Sequence, residues 1–254
     1  MSDHQGIDGN DRENEIPNSG KRLSSDNVTD IGKPMHFLCN DLDKSMDRKS
    51  ARSSYAGSVT VVGVAAVPLQ TLTVVDRRPR HCASNRLSFI WDDELQYLAS
   101  LNLRTCILDH DSCHTTYRFQ YSGQNLCGVV RDRNPNVNVS GIIEEVMGLW
   151  FNEYPLIDSS YIRKFRVTKY FEDYGHFAEI AVDRNTHVGC GIIRFTRPDV
   201  PYVYIYNMVC NYASIYALDT PVYTVGQPGS RCLTGKNPYY PGLCSENEPI
   251  NPNY

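Results

Sequence analysis

The chain has no surplus of charge of either sign. Its 25 Lys and Arg stand against 29 Asp and Glu, leaving a net charge of −4 over 254 residues. A sequence-independent nucleic-acid binder needs a basic footprint, so its absence argues against that class. The one basic run, Arg77-Arg78-Pro79-Arg80, reads as solvated surface. No Cys-x-x-Cys pair occurs among the nine cysteines, which leaves a zinc–thiolate module unsupported. Ser122-Gly123-Gln124 lacks the Gly-x-Ser-x-Gly elbow of a serine nucleophile. No glycine loop is built to cradle phosphate; Gly189-Cys190-Gly191 falls inside a strand pattern, where glycines let layers approach closely. Repeats and low-complexity tracts are absent. Residues 54–75 lean apolar, but Pro68, Gln70 and several threonines and glycines interrupt them. A spanning helix wants about 20 predominantly apolar residues, so no transmembrane anchor is expected. The first thirty residues are polar and charged, without the apolar core of a signal peptide.

Nine cysteines are many for a reduced compartment, and disulfides in an oxidising one explain them better. Residues 1–53 are polar and without period, and read as disordered. From Asp92 the pattern turns helical: Leu95, Leu98, Ala99 and Leu103 follow the i, i+3, i+4 rule, and Asp92-Asp93-Glu94 favours the positive N-terminal end. Residues 109–139 read as a long loop, and such loops are usually disordered or functional. Ser140 is the expected N-cap of a second helix with the apolar stripe Ile142, Val146, Leu149. The next step of that stripe is Glu153, and a carboxylate on a buried face needs a partner or a metal. After a loop and a short turn comes His176, then two strand-like segments, 188–195 and 202–212, around Arg197-Pro198-Asp199-Val200-Pro201. A hairpin symmetric about Val200 sets Cys190 opposite Cys210, where a disulfide fits. Tyr202, Tyr204 and Tyr206 alternate on one face of the second strand, for sheet packing or as an exposed aromatic surface. The tail, 220–254, carries Pro, Gly and Asn throughout and should be irregular, stapled by Cys232–Cys244.

Several of these segments together resemble the CAP superfamily of cysteine-rich secretory, antigen-5 and pathogenesis-related proteins. The resemblance rests on Gly175-His176-Phe177-Ala178-Glu179, Val188-Gly189-Cys190-Gly191 and Val209-Cys210-Asn211-Tyr212. Trp91-Asp92-Asp93-Glu94-Leu95 and the Trp-x-x-Glu of Trp150-Phe151-Asn152-Glu153 agree with it. His110-Asp111-Ser112-Cys113-His114, Ser122-Gly123-Gln124-Asn125-Leu126 and the span from Cys232 to Cys244 look like the insect antigen-5 branch. The resemblance covers roughly 87–254. It implies an α+β fold, a three-layer α-β-α sandwich with a small antiparallel sheet and an irregular disulfide-stapled tail. Residues 86–219 would form the CAP domain and 220–254 the extension, while 1–85 is atypical: disordered or a misassigned exon. The family's first helix, with its His-Asn-x-x-Arg motif, has no counterpart between Asn40 and Leu87. In the antigen-5 pattern Cys106 and Cys113 are disulfide-bonded to cysteines near the N-terminus, where only Cys39 and Cys82 are available; Cys127 is then left over.

The family cleft implied by the resemblance is lined by two histidines and two acids. Here those positions hold His110, His176, Glu153 and, in place of the second acid, Gln124. A neutral amide is no base and a weaker ligand for a hard cation. Two imidazoles and a carboxylate are the ligand set of many zinc sites, so zinc or another divalent cation on His110, Glu153 and His176 is one reading. A hydrogen-bonded cluster in a wet cleft is the other. Cys113 beside His114 is adjacent in sequence only, which is not the geometry of a thiol–imidazole pair. Glu179 stands where many relatives carry Gln, and Ala178 where they carry Thr or Ser. Asn138-Val139-Ser140 and Asn27-Val28-Thr29 are glycosylation sequons. The function expected is that of a secreted, extracellular, non-catalytic module binding a small lipid, a sterol or a protein receptor. The alternative is a metal-dependent hydrolase or protease using the His/His/Glu cleft.

Overall fold

The computed structural model describes residues 60–62, 83, 88–134, 136–169 and 171–253. Most of 1–85, including Asn27, Cys39 and Cys82, lies outside the described residues. The elements are β1 (Thr60–Val62), β2 (Ile90–Trp91), α1 (Asp93–Leu103), β3 (Gly123–Asp132), α2 (Val139–Phe151), α3 (Ser159–Arg163), α4 (Gly175–Ala181), β4 (His187–Arg197) and β5 (Val200–Tyr212). The sheet runs β1-β4-β5-β3 with antiparallel neighbours, and the two-residue β2 joins β4 in parallel.

Local chemistry explains the first helix. Asp92 caps α1, its Oδ1 accepting from the Glu94 and Leu95 N–H groups, and Leu95, Leu98, Ala99 and Leu103 are all buried. The hairpin register pairs Cys190 with Cys210, Cα atoms 4.0 Å apart, and a disulfide joins them. A register shift between Phe195 and Arg197 tightens the turn, so Arg197 rather than a symmetric partner faces Val200.

Strand alternation sorts the sheet's residues into two layers. Ile193, Phe195 and Val209 pack with Ala99 and Leu103 of α1. Cys190, Ile192, Tyr206, Met208, Cys210 and Tyr212 pack with α2 residues such as Val146 and Trp150 and with Ile180 of α4. The result is the expected α-β-α sandwich. Gly189 is what allows α1 to lie so close: a Cβ there would overlap the backbone of Gln96 and Asp92. The tail beyond residue 219 is irregular and closed by Cys232–Cys244.

Four expectations need correction. Residues 109–139 are not one loop, because Gly123–Asp132 pairs with β5 along its whole length as the sheet's edge. Asn138, not Ser140, holds the cap position of α2, without a side-chain cap bond. Leu149 is 51 % exposed; the buried stripe of α2 runs Ile142, Ile143, Val146, Met147, Trp150, and Glu153 lies past the helix end. Cys106 is a free thiol rather than half of a disulfide. It is buried just after α1, at positive φ (55°), and packs with Ala99, Leu103 and Phe195 in an apolar cluster. Cys113 is disulfide-bonded, and Cys127 is free and half-buried.

Candidate functional site

The residues expected to line the cleft form two histidine-centred pairs. In the first, Glu153 follows α2 and reaches the start of α4. His176 Nδ1 lies 2.7 Å from Glu153 Oε1, and Oε2 accepts the Phe177 N–H at 2.9 Å. A carboxylate only accepts, so Nδ1 carries the proton and Nε2 is the imidazole's remaining acceptor. Trp150 closes the arrangement from below, its ring stacked on His176 at 5.8 Å and 19°. Spacing explains why these three meet: Trp150 is in the last turn of α2, and Glu153 follows in the turn beyond it. His176 keeps 34 % of its side chain exposed.

The second pair is held by β3. His110, exposed, donates from Nδ1 to Gln124 Oε1 at 3.0 Å. The Gln124 amide donates in turn to Asp111 Oδ2 and Asn211 Oδ1, both at 2.9 Å. Asp111 is the hub that sequence reasoning missed. Its carboxylate accepts from Asn102 at 2.6 Å and from the Cys113 N–H at 2.7 Å, with His114 alongside. Burial works against the charged Asp111, but hydrogen bonds from His114, Gln124, Asn102 and the Cys113 N–H outweigh it and hold the carboxyl well below the usual range. For His114 burial likewise opposes the charge, and Asp111 overcomes it, raising the imidazole's pKa. The signal for this hub was its place between two motif histidines.

The pairs are served by successive residues of one strand. Gln124 holds His110, and Asn125 donates to the His176 carbonyl at 3.1 Å. Neighbouring strand side chains leave on opposite faces, so each pair takes its support from a different face of β3. Among the described residues, Glu153 and His176 meet, but His110 does not join them in a group whose three ligand atoms all lie within 4.8 Å of one another. Both Glu153 oxygens already have partners. Thus, as arranged, these residues do not fit a three-ligand metal centre. The group that does meet that distance, Cys232, Cys244 and Glu248, offers no thiolate because its cysteines form a disulfide. Glu248 there accepts from the Leu233 and Thr234 N–H groups and the Thr234 hydroxyl.

Glu179 of α4 lies behind β3, against Gly123, where any Cβ would overlap its carboxyl. It is 2 % exposed, and Asn185 is its one side-chain donor, at 3.3 Å to Oε1. Oε2 has no partner. Burial pushes its pKa up from the usual 4.5 to about 8, so at neutral pH it is largely a neutral acid, chemically close to an amide. Burial also raises the Cys127 thiol, with Glu145 and Glu153 adding to the shift, which makes it a poor nucleophile at neutral pH. Asn138 of the second sequon is exposed.

Comparison with known proteins bears on the family and the fold. Residues 74–212 match the family model CAP, the cysteine-rich secretory protein family. Venom allergen-1 of Aedes aegypti is 35 % identical over 168 residues, covering 66 % of this chain and 64 % of that protein. The antigen 5 like allergen Cul n 1 of Culicoides nubeculosus is 38 % identical over 104 residues, 41 % of this chain and 46 % of that protein. The match therefore spans just under two thirds of the Aedes relative's length. Among solved structures, that of NaASP2 with Zn2+ superposes with a TM-score of 0.50 at 18 % identity, covering 65 % of this chain and 80 % of that one, a likeness of fold.

Proposed function

The chain belongs to the CAP, or cysteine-rich secretory protein, family, and from that premise we propose that it is an extracellular, non-catalytic binding module. Its ligand class is a small lipid or sterol, or a protein receptor, taken by the domain of residues 86–219, with 220–254 as an extension. The observation that carries this reading is the splitting of the polar residues into two separately satisfied pairs. A hydrolytic centre needs a nucleophile or metal-bound water beside a base with spare capacity. Here both Glu153 oxygens are engaged, Gln124 is neutral, and the nearby thiol Cys127 is raised. What remains is a rigid sandwich carrying irregular loops, an architecture suited to recognition. Disulfides at Cys190–Cys210 and Cys232–Cys244 support an oxidising location. No helix of the described residues is long and apolar enough to cross a membrane.

The test is Glu153→Gln in the full chain made through a secretory host. Sterol and fatty-acid binding, or capture by a receptor-bearing cell, should persist within about twofold, because the substitution keeps the shape of the side chain. Metal-dependent peptide or ester hydrolysis by the unmodified chain, abolished by Glu153→Gln, would replace this reading with the hydrolase.

A further inference from the structure

One motif of the chain has no part in the histidine pairs: the sequon Asn138-Val139-Ser140. It falls where α2 begins, with Asn138 at the cap position and Val139 as the first helical residue. Asn138 and Ser140 are exposed, as are Asn134 and Asn136 before them and Glu144 and Glu145 after. Val139, between them, turns inward and packs against the main core cluster. The Asn138 backbone is extended, at φ −76° and ψ 101°. Its side chain thus stands in solvent at the start of the helix.

The stability of α2 explains neither Asn138 nor its neighbour Gly141. Asparagine is favoured at an N-cap because its side-chain oxygen accepts an N–H of the first turn, a bond worth about 1 kcal/mol. Asp92 makes that bond for α1 and Asp158 for α3, but Asn138 makes none. Glycine inside a helix costs about 1 kcal/mol against alanine. Gly141 lies in the first turn of α2, and a Cβ there would stand 3.3 Å from Asn138 Nδ2. A substituent on that nitrogen accounts for both choices. The amide is left out of the capping bond, and the glycine leaves room beside it.

We infer that Asn138 is a site of N-linked glycosylation, occupied as the chain passes through a secretory pathway, which rests on the extracellular location proposed above. The Asn138 Nδ2 nitrogen bonds to the anomeric carbon of an oligosaccharide supplied as its polyprenyl pyrophosphate. The bond from that carbon to the pyrophosphate breaks, the pyrophosphate leaves, and the amide gives up one proton. A glycan is bulky and hydrated, so its root has to stand clear of surfaces used for binding. Trp150, on which His176 stacks, is in the last turn of the same 13-residue helix, about 18 Å away at the α-helical rise. The glycan is therefore rooted at the opposite end of α2 from the Glu153–His176 pair and leaves that pair open.

The test is made on the full chain produced through a secretory host. Glycan occupancy is read by peptide mass mapping and by gel mobility before and after an endoglycosidase. A glycan on the Asn138 peptide in more than half of the secreted chain is expected. Asn138→Gln and Ser140→Ala should each abolish it, whereas Ser140→Thr, which keeps the sequon, should retain it. Asn27→Gln in every sample removes the other sequon from the gel reading. Disulfide-bonded chain in the medium with Asn138 unmodified would overturn the inference and leave the extracellular reading standing. Chain held inside the host with its cysteines reduced would remove both.

Discussion

Two carboxyl groups flank the start of β3, and they behave oppositely. Asp111, on the loop side, is half-buried and receives hydrogen bonds from Asn102, Gln124 and the Cys113 N–H. Glu179, on the helix side, is fully buried, with a single side-chain donor and one oxygen unpartnered among the described residues. Burial penalises the charge of both, but only Asp111 has enough donors to offset it. The histidine pairs repeat the contrast. His176 is held by packing, stacked on Trp150 and tied to Glu153, whereas exposed His110 is held only through the polar network of Gln124. The helix side is thus built by apolar burial and the loop side by hydrogen bonding, and the two should fail in different ways.

Removing the packing should have the largest effect. Trp150, 1 % exposed, sits in the main core cluster, and Trp150→Ala should cost about 3–5 kcal/mol in denaturant unfolding. A loss no larger than that of a surface change would mean that this side is not packing-dependent. On the loop side Asp111→Ala leaves the Asn102 and Gln124 donors without their acceptor and should cost about 2–3 kcal/mol. Its pH signature is equally specific. A carboxyl held below its usual 3.8 lends stability above that value and gives it up as pH falls below it. Wild type should therefore lose stability in acid more steeply than Asp111→Asn.

Glu179 has the reverse sign. Its raised pKa makes the folded state retain a proton that the unfolded state releases above about 4.5, so stability falls as pH rises from about 4.5 to about 8. Glu179→Gln should flatten that slope and stabilise the protein at pH 8.5 by roughly 1–2 kcal/mol, read as Tm against pH. An unchanged slope would assign the pH dependence elsewhere. The smallest effect is expected for His110→Ala, within about 0.5 kcal/mol, because the ring is exposed and only its one amide partner is lost.

The packed side was the more legible in sequence. Helix periodicity placed α1, with acidic residues at its start, and the hairpin's symmetry placed Cys190 opposite Cys210. Trp150, Glu153 and His176 were placed by spacing and motif, although the buried stripe of α2 runs through Trp150 rather than Leu149. The polar side was harder to see. β3 carries Gln124, Asn125, Gly128, Arg131 and Asp132, so as an edge strand it shows no run of β-branched residues and reads as loop. Asp111 draws its partners from α1, its own loop and β3, a convergence that no local pattern encodes. Cys106 followed the antigen-5 pattern in sequence, yet an apolar cluster surrounds its thiol.

The separation of the two histidine pairs is tested most directly by zinc calorimetry on the secreted full chain, beside His110→Ala and His176→Ala. With the pairs held apart, no saturable site should appear that needs both histidines. One-to-one binding at micromolar zinc, abolished by either substitution, would show that the pairs converge on one ion and would contradict the non-catalytic reading at its base.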